Sequence, residues 1–522
     1  MSKTRYNGLI SKNEFEYIKN ELGREPSDFE LHLFSATYSE HCSYKHSKEL
    51  LKLLPKKEAI FTDENAGGIE VGEHAVLFKM ESHNHPCAVE PFNGAATGIG
   101  GIVRDVLAMN ARPIALCNSL KFGADKRIIK GVVDGISVYG NSIGVPTIST
   151  EVLLDDCFTE NPLVNVTAIG LAKKSDILTS NTAKSGLKLM LVGSATMRDG
   201  MGGAAFASKE LSDEKAEDKL SIQIANPFEK KKLIEACLDI FSKKLVVSCQ
   251  DCGAAGILSS TSEVAFKSGC GVEIDLNKIH IGDKSIRDFE IMLSETQERM
   301  LFVVEESKIA EIESIIIKYH LESSIIGDTI GDEKYVVKKG DEIKADLPSW
   351  LLVTPPATEL NFEHNDVCLK NPSYVKDGNC PEIYEQYDHT VGTRTQYQPA
   401  ENPQFNSLWI HEENCFLGVY TFCAVIQNNA FDEVYDAILN ASKLLKEKGF
   451  QPAGLTNCLN FANPEIPPTM HEFRESISAI KQACDELKIP VCSGNVSFYN
   501  ESSSSRIKNT PTFTIIGIKY SA

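Results

Sequence analysis

Residues 76–91 read VLFKMESHNHPCAVEP and place Lys79, Glu81, His83 and His85 within seven residues, directly after an apolar run. Alternation through AVLFKME puts Val76, Phe78 and Met80 on one face and Leu77, Lys79 and Glu81 on the other, the period of a β-strand. Pro86 biases its predecessor away from helix, so an extended chain would carry His83 and His85 along the edge that bears Lys79 and Glu81. A cation, a carboxylate and two imidazoles on one edge suit ATP phosphates, Mg²⁺ and a proton acceptor. The same four residues also suit a solvated strand end. The two histidines with His41 or Cys42 would suit zinc.

Other segments carry compatible chemistry. In PFNGAATGIGGIVRDVLAMNARP (91–113), the small residues Gly94, Ala95, Ala96, Gly98, Gly100 and Gly101 open a helix that continues to Arg104 and Asp105. Small residues there admit a phosphate to backbone donors or simply allow close packing. YSEHCSYKHSK (38–48) sets His41, Tyr44 and Lys45 on about one helical turn, which fits a site or a capping turn. Gln223, Glu295 and Gln297 add polar groups, and Asp251 before Gly-Ala-Ala-Gly suits a Mg²⁺ ligand with room for water and phosphate. The glycine-rich run 193–208 reads as a loop that covers a ligand. Neither a Walker A loop nor a Gly-x-Cys-x-Gly elbow occurs. Cys249 and Cys252 form a lone CxxC with no second pair nearby, the pattern of packing cysteines.

The elements that must position these groups are mixed. Residues 11–54 read as helices, and from 70 onward β-rich runs alternate with helical patterns, which predicts an α/β protein. The apolar spacing of 431–445 with Gly449 behind it predicts an amphipathic helix. RPIALCNSLKFG (112–123) is repeated as QPAGLTNCLNFA (451–462), followed in the same order by IGVPTISTEV and IPVCSGNVSF, then by PLVNVTAIGLA and PTFTIIGIKY. The second copy has no ESHNHP; VYTFCAVIQ (419–427) stands there. The division expected is 1–60 helical, 61–174 first repeat, 175–350 a further α/β domain, 351–408 a connection and 409–522 second repeat. A net charge of −19 argues against a nucleic-acid or anionic-membrane surface. No apolar run reaches the 18 residues of a membrane span. The fifteen scattered cysteines read as reduced thiols of a cytoplasmic protein.

SEHCSYK, FKMESHNHPCAVEPFNGAATGIGGIVRDVLAMNARPIALCNSLKFG, RDGMGGAAFAS, QDCGAAG, ETQERM, NCLNFANPE and SGNVSFYNE occur in one order. Together they resemble the synthetase subunit of phosphoribosylformylglycinamidine synthase, from about residue 8 onward. The resemblance implies two pseudo-symmetric halves, each an N-terminal-type domain that shares a central β-barrel and is followed by an α/β C-terminal-type domain. It implies conversion of formylglycinamide ribonucleotide, ATP and ammonia to the amidine through an iminophosphate. Ammonia would come from a separate glutaminase, joined through a small bridging subunit. It implies ATP contacts from Tyr44, Lys79, Asn457 and Gly494, and Mg²⁺ ligands from Glu81, Asp105, Asp251 and Asn495. Ser82, His83, Asn84, His85, Arg104, Gln223, Glu295, Thr296, Gln297 and Ser497 would meet the substrate. His83 would be the proton acceptor and His41 a second catalytic residue.

Two departures from the family pattern stand out. Asn457 occupies a position that is commonly Asp, which removes a charge beside the nucleotide. The second half is expected to lack its C-terminal-type domain, and with it a pseudo-symmetric site that holds a structural nucleotide. A non-catalytic homologue that binds nucleotide or partners is the alternative reading. Another ATP-using relative of the fold, such as aminoimidazole ribonucleotide synthetase or a thiamine-phosphate kinase, is disfavoured by SHNHP and by the fused repeat.

Overall fold

The computed structural model describes residues 9–211, 221–358, 360–362, 376–377, 380–397, 402–502 and 505–521. Four helices come first: α1 (Lys12–Leu22), α2 (Asp28–Thr37), α3 (Glu40–Ser43) and α4 (Lys48–Leu51). Ser11 and Ser27 open α1 and α2 with reciprocal capping boxes to Glu14 and Glu30, which fixes where each helix starts.

The first repeat supplies β1 (Gly67–Val71), β2 (His74–Ser82), β3 (Arg112–Phe122), β4 (Thr147–Leu154) and β5 (Leu163–Lys173), with helices α5 (Asn84–Val89), α6 (Pro91–Ala108) and α7 (Lys126–Ile143). Then come β6 (Lys188–Gly193), β7 (Ser248–Asp251), β8 (Gly271–Asp275), β9 (Arg299–Val304), β10 (Glu322–Ile330), β11 (Lys334–Lys339) and β12 (Glu342–Pro348), in the order β12-β11-β8-β10-β6-β9-β7. After the two-residue β13 (Lys376–Asp377), the second repeat supplies β14 (Phe405–Ile410), β15 (Cys415–Cys423), β16 (Gln451–Asn460), β17 (Val491–Ser497) and β18 (Thr510–Tyr520).

The repeat read from the sequence is a repeat of topology. The first sheet runs β1-β2-β5-β3-β4, with β13 added at its edge, and the last runs β14-β15-β18-β16-β17. In each, only the last pair is parallel, β3 with β4 and β16 with β17. Even the irregularities match: register shifts fall at Pro113/Ala115 and Leu116/Cys117, and again at Pro452/Gly454 and Leu455/Thr456. A bulge copied at corresponding positions is a designed feature of the sheet.

The two repeat sheets share one apolar core, in which Val76, Phe78, Cys117 and Ile169 meet Leu417, Val419 and Ile516. Ala75 and Leu77 point the other way, into the helix-side core, as alternation requires. The predicted helix over 431–445 is found as Ala430–Glu447. Within the segment expected to connect the halves, β13 pairs with β4, and β14 starts at Phe405, before the expected boundary at 409. The polar sequence before it hid the strand, which is buried on both faces, Phe405 towards one core and Leu408 and Ile410 towards another. The residues of that segment outside the described ranges carry no structural statement. No helix among the described residues is long and apolar enough to cross a membrane.

Candidate active site

Residues from widely separated stretches of chain wall a cavity of about 750 Å³. The α3 turn brings His41 and Tyr44, and the end of β2 brings Lys79, Glu81, Ser82 and His83. The α6 helix adds Arg104 and Asp105, the 223–297 region adds Gln223, Asp251, Glu295 and Gln297, and the parallel pair β16–β17 adds Asn457, Gly494, Asn495 and Ser497. Asn84 and His85 also line it. Of the nineteen residues singled out from the sequence, Thr296 alone is absent from this wall. Its hydroxyl donates to Asp199 at 2.6 Å and accepts the Met197 N–H at 3.0 Å, so it ties down the glycine-rich loop.

The chain does not stay extended to Pro86. It leaves β2 at Ser82, His83 takes the N-cap position, and α5 begins at Asn84. Pro86 sits in the first turn of that helix, where a missing N–H has no intrahelical partner to lose, so the pre-proline bias gives way. Lys79 and Glu81 therefore share a strand face, whereas His83 and His85 reach the cavity from a helical turn.

This turn fixes the imidazole of His83. Its Nδ1 lies 2.5 Å from the Gly94 carbonyl oxygen, which can only accept. The neutral ring therefore carries its proton on Nδ1 and leaves Nε2 as an acceptor. Burial pulls the His83 pKa down, and His41 and Arg104 add to this against the Gly94 carbonyl and Glu81. His41 is lowered as well, by burial first, with Lys79 adding to it and Glu81 and Glu40 opposing. Gly98, one turn along α6 from Gly94, faces the ring closely, since a Cβ there would lie 3.0 Å from His83 Cβ. Gly94, Gly98 and Gly100 thus serve close packing, whereas Gly101 opens onto the cavity, where a Cβ would have only Glu81 Oε2 near it, at 4.0 Å. Gly94 abuts Pro86 and Cys87, and Gly100 abuts Tyr139 and Gln297.

Charges are paired across the floor. Lys79 Nζ meets Asp105 Oδ2 at 2.9 Å, and Arg104 Nε meets Asp251 Oδ2 at 3.4 Å. Burial works to lower Lys79, but Asp105 and Glu81 outweigh it and hold the ammonium charged. Asp105 is pushed up, by burial first, then by Asp251 and Glu81, with Lys79 opposing. Three carboxylates thus face one another with cations between them. Among the described residues, no group of three or more His, Cys, Asp or Glu side chains is arranged to hold a metal ion. His85 Nε2 lies 3.1 Å from the Tyr499 carbonyl oxygen, which turns it away from such a cluster.

A wire of amides runs from Arg104. Its Nη1 donates to Gln297 Oε1, Gln297 Nε2 donates to Gln223 Oε1, and Gln223 Nε2 donates to Glu295 Oε2 at 2.8 Å. Glu295 Oε1 accepts the N–H groups of Ala204 and Ala255, each at 3.0 Å. Burial pushes Glu295 up to about 7, against the pull of these donors.

On the opposite wall Ser82 Oγ donates to Asn495 Oδ1 at 2.9 Å, and Asn495 Nδ2 donates to the Tyr44 hydroxyl at 3.3 Å. Tyr44 itself is pushed up to about 12, chiefly by burial. Asn457 pairs with Gly494 across the parallel ladder, and its buried Nδ2 has no hydrogen-bond partner. Asn84 lines the cavity and is also bonded within the fold. Its Nδ2 faces Asn460, Ser497 and Asn500, and its Oδ1 accepts the Val164 N–H at 2.8 Å, so its amide staples the two sheets together. The partners Asn165, Asn460 and Asn500 were missed by sequence reasoning, although NCLNFANPE and SGNVSFYNE are conspicuously rich in asparagine.

Known proteins share this arrangement. The AIR synthase related protein N-terminal domain model matches 63–172 and 420–519, its C-terminal domain model matches 184–340, and the formylglycinamide ribonucleotide amidotransferase linker domain model matches 2–45. The phosphoribosylformylglycinamidine synthase subunit PurL of Petrotoga mobilis is 43% identical over 97% of this chain and 73% of its own length. The chain belongs to the PurL family. The Aquifex aeolicus PurL is 39% identical, over 98% of this chain and 74% of its own. Among solved structures, Thermotoga maritima PurL complexed with FGAR superposes with a TM-score of 0.88 at 36% identity, covering 97% of this chain and 83% of that one. The T. maritima PurLQS structure gives 0.87 at 33% identity, covering 98% and 83%. As a PurL family member the chain is an ATP-dependent ligase of purine biosynthesis, which forms formylglycinamidine ribonucleotide from formylglycinamide ribonucleotide.

Proposed function

We propose that the cavity holds both substrates at once and that His83 is the base of the reaction. The convergence of Lys79, Glu81, His83, Arg104 and Asp105 with Gly494 and Asn495 around one space carries this reading. ATP lies along Tyr44, Lys79, Asn457 and Gly494, all of which line the cavity. The ribonucleotide lies along Ser82, His83, Arg104, Gln223, Glu295, Gln297 and Ser497. Glu81, Asp105, Asp251 and Asn495 would hold Mg²⁺, which supplies charge neutralisation for the phosphates when bound. Asp105 shares the wall with Glu81 and Asp251, and burial first, then these two carboxylates, push it up, a load that a divalent cation would relieve.

The amide oxygen of the substrate attacks the γ-phosphorus and ADP leaves. The amide nitrogen gives its proton to His83 Nε2, so an iminophosphate forms. Ammonia then adds at the imidate carbon and phosphate departs. Lys79 and Arg104 neutralise charge, and the Gly94 carbonyl keeps His83 in the accepting tautomer. His41 stands beside the same edge as a second catalytic residue.

The two repeat sheets, from 61–174 and, with β14 included, from 405 onward, are the halves of the shared barrel, and 175–350 is the α/β domain that follows the first. Glutamine as nitrogen source needs a separate glutaminase and a small bridging subunit. The described cysteines form no disulfide with one another, which agrees with a reducing cytoplasm. The test is ammonia-dependent ADP release by the purified chain. Release that requires formylglycinamide ribonucleotide supports the reading, and none in its presence refutes it.

A further inference from the structure

We infer that Tyr139, Glu298 and Lys230 form a positioning layer that sets Arg104 and Gln297 for the ribonucleotide. This rests on the substrate placement proposed above. None of the three lines the cavity, and all lie immediately behind it.

Their common point is Gly100 on α6. Its carbonyl sits four residues before Arg104 and so takes the helical hydrogen bond of the Arg104 N–H. Lys230, fully buried on the helix Pro227–Ser242, donates Nζ to that same carbonyl at 3.2 Å. A Cβ at Gly100 would lie 2.6 Å from the Tyr139 hydroxyl and 2.9 Å from Gln297 Oε1. The missing side chain is what lets the tyrosine and the glutamine meet the helix there.

Tyr139 then donates to Glu298 Oε1 at 2.5 Å. Glu298 neighbours Gln297 in sequence and adopts φ of 60°, an uncommon conformation for a non-glycine residue, with its own carbonyl held by the Ser194 N–H at 3.1 Å. Its carboxylate acts electrostatically on Arg104 and on Lys230. Burial, then Arg104, pull the Lys230 ammonium down to about 7, with Glu298 and Asp251 opposing.

A core that served packing alone would hold apolar residues here, because buried ionisable groups cost stability. Instead Lys230 and Tyr139 meet the Gly100 turn that leads to Arg104, Tyr139 holds Glu298 beside Gln297, and Glu298 acts on Lys230 through its charge. Their geometry fixes one rotamer of the Arg104–Gln297 pair, and this is the pair at the head of the amide wire to Glu295.

The experiment is steady-state kinetics of Tyr139→Phe and Glu298→Gln with ammonia, varying ribonucleotide and ATP separately. Tyr139→Phe keeps the ring, so it remains informative if Glu298→Gln does not fold. The KM for ribonucleotide should rise roughly tenfold, while the KM for ATP and the melting temperature stay near wild type. An unmoved ribonucleotide KM, or equal rises for both substrates, would overturn the layer. Wild-type protein that fails to use the ribonucleotide would refute the substrate placement instead, so the two failures are told apart.

Discussion

Gly98→Ala separates a catalytic effect from a structural one, because the two are expected to move in opposite directions. The position lies inside α6, where alanine is intrinsically better than glycine by about 1 kcal/mol. The new methyl would stand 3.0 Å from His83 Cβ and 3.2 Å from Cγ. Carbon atoms in contact settle at roughly 3.5–4.0 Å, so the imidazole must retreat by about 0.5 Å. It has little freedom to do so, since its Nδ1 is held 2.5 Å from the Gly94 carbonyl on the same helix. A displacement of about 1 Å at a reacting group costs on the order of a hundredfold, so half of that corresponds to roughly a tenfold lower kcat. Ammonia-dependent turnover with saturating ribonucleotide and ATP measures it, and a thermal melt of the same preparation checks the fold. A variant that melts at or above the wild-type temperature and turns over about tenfold more slowly is the expected outcome. Turnover within twofold of wild type would refute the argument that ring placement by α6 limits the reaction.

Three further outcomes are expected. Because His83 is held below the ordinary imidazole value of about 6.5, kcat/KM should stay flat at neutral pH and fall only in an acid limb below that value, as Nε2 takes up its proton; a limb centred above pH 7 would contradict the assignment. Asn457→Asp should lower the KM for ATP by about threefold without moving the ribonucleotide KM, since a charged acceptor replaces an unpartnered amide; a shift confined to the ribonucleotide would place this residue at the wrong substrate. Lys121→Met should destabilise the chain by about 3–5 kcal/mol in a denaturant titration, because it strands the buried Glu151 that Lys121 meets at 2.9 Å. The double variant Lys121→Met with Glu151→Leu should recover most of that loss, and no recovery would count against the ion-pair account.

The repeat was legible because Pro113 and Pro452 stand at matching points in strands whose apolar pattern, bulges and neighbours were duplicated with them. The charged edge of β2 was legible for a different reason, because alternation settled the faces of Lys79 and Glu81. Spacing failed where a turn replaced the strand. Pro86 is compatible with extension and with a first helical turn, and only the packing of Gly94 against Pro86 and Cys87 decides between them. Asn84 and Thr296 sit inside strong motifs, yet their partners come from Asn460, Asn500 and Asp199, which no local pattern announces. Glu298 had a visible signal in SETQERM, an acid and an arginine leading straight into a fully buried strand.

The bond from Ser82 to Asn495 spans 413 residues of chain. At synthesis rates of about 5–20 residues per second, the ribosome needs roughly 20–80 s to deliver the second partner after the first has emerged. For that interval Ser82 lacks its Asn495 partner, and for most of it the inter-sheet face of Val76 and Phe78 lacks its cover from Leu417 and Val419. Growth conditions that slow elongation lengthen this exposure, so yield of the active fold depends on translation speed and on whatever chaperone shields the first sheet meanwhile.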